Sequence, residues 1–189
     1  IGPFQFDFFI SRLEKDRVIP SPYFQGTRID LKPHPLFEIG FTRTIIMGGE
    51  GKPSLSPSRF WNIWFGENKE HDDDQSNSLA GVDFNLSLPI GAFYGEVGGE
   101  DEAGHLPSHG AFLVGLHLQE GGLFNRDFRM EYADISHSAW YIHSVYQSGY
   151  TYKGSVMGHH VGGAARDIYL EHGVLDRQHG LGRLDCASR

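Results

Sequence analysis

Residues 137–163, HSAWYIHSVYQSGYTYKGSVMGHHVGG, concentrate the side chains of this chain that could do chemistry. Trp140, Tyr146, Tyr150 and Tyr152 offer flat apolar rings, three of them tipped with a hydroxyl, which suit the C–H-rich faces of sugars. His143 within the stretch, and Asn125, Arg129 and Glu131 upstream of it, offer planar polar groups for hydroxyls. An acidic glycan would be met by Arg129, Lys153 or Arg166, because a chain of formal net charge −8 must present positive charge locally. The same rings could instead pack loops onto the body of the protein or form an interfacial girdle. Arg129 and Glu131, two residues apart, read more readily as part of an internal charge ladder than as an active site.

Two other groups invite a chemical reading. Glu100-Asp101-Glu102 supplies the paired carboxylates that glycoside hydrolysis needs. Consecutive residues of a loop do not hold the required separation, so an acidic loop turned inward or holding a cation is the expectation, with no catalytic residue. His159-His160, with His137 or His143, could bind zinc. Adjacent histidines point to opposite sides of a strand, however, and no ligand spacing is recognisable, so no metal or cofactor is expected. His71-Asp72-Asp73-Asp74 lies in a solvated acidic loop without the spacing of an EF-hand.

The elements that must position these groups are strands. Gly 25 and 13% aromatic residues among 189 point to an all-β chain with many turns. The balance of 24 acidic to 16 basic side chains, with no basic run, disfavours nucleic acid. No apolar run approaches the ~18 residues of a transmembrane helix, which leaves a membrane-spanning β-barrel open. Cys186 is the sole cysteine, so no intrachain disulfide is possible.

Alternation of apolar and polar residues marks segments 4–10, 27–32, 36–47, 80–88, 92–98, 110–119, 124–133 and, more weakly, 164–174. Residues 99–109 read as an acidic, glycine-containing loop. Ser56-Pro57 looks like an N-cap followed by proline at the first helical position, and Phe60, Trp61, Trp64 and Phe65 give that helix an aromatic face before Gly66. It could fill a core, plug a lumen or lie at a membrane interface. About eight strands joined by short turns at one end and long loops at the other fit an outer-membrane barrel; a soluble sandwich would also alternate.

Several segments together resemble the capsule assembly Wzi family of bacterial outer-membrane proteins. They begin at Leu36-Phe37-Glu38-Ile39-Gly40-Phe41-Thr42-Arg43-Thr44, Gly48-Gly49-Glu50-Gly51-Lys52-Pro53 and the helix with Ser58, Phe60 and Trp61. They continue through Asn77-Ser78-Leu79-Ala80-Gly81-Val82-Asp83-Phe84, Tyr94-Gly95-Glu96 and Gly99-Glu100-Asp101-Glu102. Arg129, Glu131, Tyr132 and Ala133 follow, then His143, Tyr146, Gly149-Tyr150, Gly154, Gly158-His159 and Gly162-Gly163.

The resemblance implies an antiparallel outer-membrane β-barrel with a short helix and long external loops. It implies attachment of capsular or extracellular polysaccharide in a lectin-like way, without catalysis. Polysaccharide and outer-membrane lipid are then the expected partners, and Arg129, Glu131, Trp140, His143, Tyr146, Tyr150 and Tyr152 the candidate glycan contacts. A porin-like solute channel and, less favoured, a polysaccharide-degrading enzyme using Glu100 or Asp101 are the alternatives. Such a barrel needs more strands than this chain supplies, so the expectation is about eight strands of a larger barrel over residues 1–175. Residues 176–189 are expected to be a polar, non-strand tail, foreign to the barrel or disordered.

Overall fold

Residues 2–65, 76–103, 106–119, 126–137, 140–176 and 180–188 are described by the structure, a computed structural model. The chain runs β1 (Phe4–Arg12), β2 (Tyr23–His34), β3 (Phe37–Met47), α1 (Pro57–Phe65), β4 (Asn77–Leu88), β5 (Gly91–Ala103) and β6 (Leu106–Leu118). It continues with β7 (Arg126–Ile135), the short β8 (Thr151–Tyr152) and β9 (Ser155–Val156), β10 (Ala165–Asp176) and β11 (Gly180–Ser188). Nine strands form one antiparallel sheet in the order β1-β2-β3-β4-β5-β6-β7-β10-β11, while β8 and β9 make a separate ribbon. Each strand of the large sheet is 9 to 13 residues long. A tilted bilayer-spanning strand needs about 9–11. Residues 35–36 and 89–90 turn tightly at one end, whereas the connections from β1 to β2, β3 to β4 and β7 to β10 leave from the other.

The register separates two faces. Phe6, Ile29, Phe41, Val82, Val97 and Phe112 stand opposite one another from β1 to β6 and form an unbroken apolar row. A second row runs Phe4, Leu31, Ile39, Phe84, Gly95, Val114, Tyr132 and Ile168. Phe6 and Val97 remain 54% and 62% exposed. So large an open apolar surface is a liability in water and the natural surface of a strand facing acyl chains.

The opposite face is polar and cross-linked. Arg28 donates to both oxygens of Asp83 at 2.7 and 2.9 Å and also reaches Asp30 and Thr42. Arg129 pairs with Glu131 at 2.6 Å, and His117 lies 3.1 Å from Asp127. These three basic groups can sit there because each has an acidic partner within its own face.

Local pattern misjudged two segments. Of residues 99–109, expected to be a loop, 99–103 and 106–109 belong to β5 and β6, in which Glu100 pairs with His109, Glu102 with Pro107 and Ala103 with Leu106. These strand ends extend past the registered partners of β4 and β7 and are joined to each other by backbone bonds. Residues 180–188, expected to be a non-strand tail, form β11 along β10 from Asp176–Gly180 to Ile168–Ser188. The unpaired edge of β10 supplies those hydrogen bonds whatever the side chains, so a polar, glycine-containing segment can add as a ninth strand. Among the described residues β1 and β11 do not pair with each other.

The helix follows its sequence signals. Ser56 Oγ accepts the Arg59 N–H at 3.2 Å, and Pro57 opens the first turn. Ile63, Phe60 and Trp64 pack against Tyr23, Ile45 and Met47. Phe60 meets Phe8 edge-on, and the Arg43 guanidinium lies 5.9 Å over Trp64. Phe8 and Arg43 share one register row, and Ile45 and Met47 follow Arg43 at two-residue steps, all on the apolar face. The helix therefore packs on the apolar face of the sheet at the long-loop end, not on the polar face that a plug would cover. Trp61 and Phe65 project away from the wall, 53% and 64% exposed and stacked on each other.

Candidate functional site

Residues 136–137 and 140–164, between β7 and β10, fold down onto the polar face at the long-loop end and form a lid. The lid carries a self-contained frame. Lys153 and Gly154 both take positive φ, 49° and 81°, between the paired Tyr152 and Ser155. That is the two-residue turn whose twist matches a β-ribbon. Tyr150 N–H donates to the Tyr141 carbonyl and Met157 N–H to the Tyr150 carbonyl, which ties the ribbon to the preceding turns.

Three rings anchor this frame. Tyr150 is 1% exposed, set edge-on to Phe24, and buried with Leu13, Ile46 and Tyr146. Its hydroxyl lies 3.0 Å from the Thr44 carbonyl and 3.1 Å from the Asn77 carbonyl, and burial raises its pKa so that it stays a neutral donor. Tyr146 donates to the Gly48 carbonyl at 3.1 Å. Trp140 packs against Ala111 and Ile135, and its ring lies over Gly98, where an added Cβ would come within 3.2 Å. Gly98 is thus a socket for the indole. Trp140, Tyr146 and Tyr150 turn their faces into the protein, and no sugar can stack on a ring already covered.

A clamp that the sequence does not announce joins the lid to residues 13–22. Arg17, buried, donates to the Thr151 carbonyl at 2.5 Å, the Gly149 carbonyl at 2.6 Å and Glu14 at 3.0 Å. Ser148 Oγ accepts the Val18 N–H, and Glu14 also accepts the Lys153 N–H. Burial pushes the Glu14 carboxyl up, but the backbone and Arg17 hydrogen bonds outweigh it and hold it below the usual 4.5. A carboxyl lowered on folding contributes stability above its unfolded pKa and loses it as pH falls through the folded one. The latch is therefore expected to weaken as pH drops below 4.5. Protease cleavage of the lid should rise over that range, modestly because Glu14 is partly solvated, and Glu14→Gln should flatten the dependence.

The remaining candidates divide. Tyr152 is 41% exposed with Lys153 Nζ 5.3 Å over its ring, and His143 is partly open beside Tyr146. Glu100 is 2% exposed on the polar face beneath the lid, close enough for its charge to act on the Tyr150 hydroxyl. The side chains of Asp101 and Glu102, and the whole of Asn125 and His71-Asp72-Asp73-Asp74, lie outside the described residues. Arg129 and Glu131 join Tyr94 in a ladder, with Tyr94 donating to Glu131 and accepting from Arg129 at 3.0 Å. Glu131 sits four residues inside Ile135, about 13 Å down the strand. The two thus belong to the wall and the aromatics to the lid. His159 and His160 lie in a turn and not on a strand, so their rings come within 4.5 Å of each other, beside Asp167 of β10.

An apolar face, an opposite face laddered with ion pairs and a lid over that polar face at one end fit the wall of an outer-membrane β-barrel. The family model described as "Capsule assembly protein Wzi" matches residues 1–174. The chain belongs to this family. It is 36% identical over 128 residues to an uncharacterized 55.8 kDa protein in the cps region of Klebsiella pneumoniae, covering 64% of this chain and 25% of that protein. Its fold superposes with a TM-score of 0.77 and 28% identity on Wzi of Escherichia coli, covering 98% of this chain and 42% of that one. That protein is described as an outer membrane protein involved in group 1 capsule assembly and a carbohydrate-binding β-barrel. The chain thus spans less than half the length of either relative. As a Wzi-family β-sheet of the outer membrane, it carries its Phe- and Val-rich rows on one face and its ion-pair ladder on the other.

Proposed function

We propose that this chain forms part of an outer-membrane barrel that binds capsular or extracellular polysaccharide and keeps it attached to the cell, without catalysis. The observation that carries the reading is the lid. Its large rings are used up in anchoring, so the surface left outward presents Tyr152, Lys153 and His143 on a rigid support. A tyrosine face with a cation beside it suits a sugar ring bearing a carboxylate. Glu100, shut beneath the lid, does not reach such a ligand, which speaks against a hydrolase that uses Glu100.

Joint replacement of Tyr152 and Lys153 by alanine in the detergent-purified protein is expected to weaken capsular polysaccharide binding about tenfold or more. Unchanged binding with the lid still protease-resistant would overturn the assignment. Loss of the gene should shed polymer into the medium without stopping its synthesis.

Lipid is the second partner we infer. The helix α1 continues the apolar wall at the end that carries the lid, and Trp61 and Phe65 suit the headgroup boundary. Brominated phospholipids are expected to quench tryptophan fluorescence of the reconstituted protein, and Trp61→Phe to remove much of that quenching. Equal quenching in the variant counts against contact at Trp61.

A solute channel is the second reading of the function, favoured by the charged ladder on the inward face. Steady conductance of the intact protein in planar bilayers supports it. A silent bilayer returns the weight to the lid as a closure.

A further inference from the structure

His159 and His160 follow the ribbon in the lid, and Asp167 begins the inward face of β10, so the three meet where the lid returns to the wall. One potential ligand atom from each lies within 4.8 Å of the others. His160 Nε2 is 3.2 Å from Asp167 Oδ2. Zinc bonds of about 2.0–2.1 Å place neighbouring ligand atoms of a tetrahedron about 3.3 Å apart, so that pair already stands at the spacing of two zinc ligands. We propose that His159, His160 and Asp167 form a divalent-metal site, best matched to zinc, that clips the lid to β10.

The carboxylate gives independent support. Asp167 is 3% exposed, and its Oδ1 has no hydrogen-bond partner. A buried carboxylate with one oxygen unsatisfied is costly, and a cation between it and the imidazoles removes that cost. His160, with a side chain 62% exposed, leaves a route for the ion from solvent. The Val161 N–H reaches His159 Nδ1 only at 3.5 Å, the limit of a hydrogen bond, so little is lost when that ring is recruited. Two imidazoles and one carboxylate select zinc over calcium or magnesium, which take oxygen ligands. Three protein ligands leave the fourth corner to water.

The clip stands apart from glycan recognition, since neither Tyr152 nor Lys153 belongs to it. Its test is calorimetric titration of zinc chloride into the intact, metal-stripped protein in detergent, carrying no polyhistidine tag. One saturable equivalent is expected, with cobalt giving the visible absorption of a four-coordinate site at the same stoichiometry. His160→Ala should weaken zinc binding roughly 100-fold or more, beyond the losses typical of outer-shell changes. The exposure of His160 makes that variant safe for folding, whereas Asp167→Asn risks disturbing the wall. Zinc should also slow proteolysis of the lid in the unaltered protein and not in His160→Ala. Absence of saturable binding would overturn the proposal, as would zinc affinity and lid protection unaffected by His160→Ala, which would assign the zinc to other histidines.

Discussion

Tyr150→Ala is expected to free the lid, at a cost of about 3–5 kcal/mol for deleting a fully buried aromatic ring. Tyr150 is 1% exposed and sits in the cluster that joins the lid to the wall, with Leu13, Ile46 and Tyr146 buried beside it. Truncation leaves a void bounded by Phe24 and removes the hydroxyl from the Thr44 and Asn77 carbonyls. Hydrogen exchange should read the change in the amides the lid protects, above all Met157 N–H, which donates to the Tyr150 carbonyl. Sheet amides in the middle of β4 and β5 should keep their protection, because the lid touches only one end of the wall. Tyr150→Phe separates ring from hydroxyl and should cost about 1–3 kcal/mol, the penalty of leaving buried carbonyls short of a donor. Equal exchange in Tyr150→Ala and the parent would show that the lid is held elsewhere.

The second large effect is at Arg17. Replacing it by methionine keeps much of the stem and deletes the guanidinium that satisfies Thr151 O, Gly149 O and Glu14 together. Removing one partner of a buried ionic network typically costs about 3–5 kcal/mol. Partial solvation of Glu14, whose side chain is 20% exposed, puts the expectation toward the lower end. Residues 13–22 and the ribbon should loosen together, since the clamp is their shared contact. Limited proteolysis of both segments is the measurement, with Arg17→Lys as its companion. A lysine carries the charge but not the fork that reaches two carbonyls, so it should restore only part of the protection. Loosening confined to one segment would contradict a shared clamp.

These two positions differ in how far the sequence exposes them. Tyr150 stands in a stretch conspicuous for its rings, yet nothing local says whether a ring faces a sugar or a wall. Phe24, Thr44 and Asn77 make that choice from far along the chain. Arg17 gives no signal at all: an isolated arginine near prolines and other charges reads as a solvated loop residue. Its carbonyl partners lie 132 and 134 residues away. Asp167 is similar, an acid on a weakly alternating strand until the turn at His159 and His160 is laid beside it.

What the residues alone determined was element type and polarity of face. Alternation in β1, β3, β4, β6 and β7 needs only the two-residue period of a strand, and Ser56-Pro57 places the start of α1 by local hydrogen bonding. The ordered motifs also carried the Wzi-family resemblance, which the match over residues 1–174 bears out. Tertiary structure decided what lay beyond that reach. It paired β11 to an open edge, extended β5 to Ala103 and began β6 at Leu106, and set α1 on the apolar side of the wall. It also turned Trp140, Tyr146 and Tyr150 inward, leaving Tyr152 outward. The physical reason is common to all of these. Periodicity is written in neighbouring residues, whereas edge pairing, burial and ion partnership depend on which distant surfaces the completed sheet brings within a few ångströms.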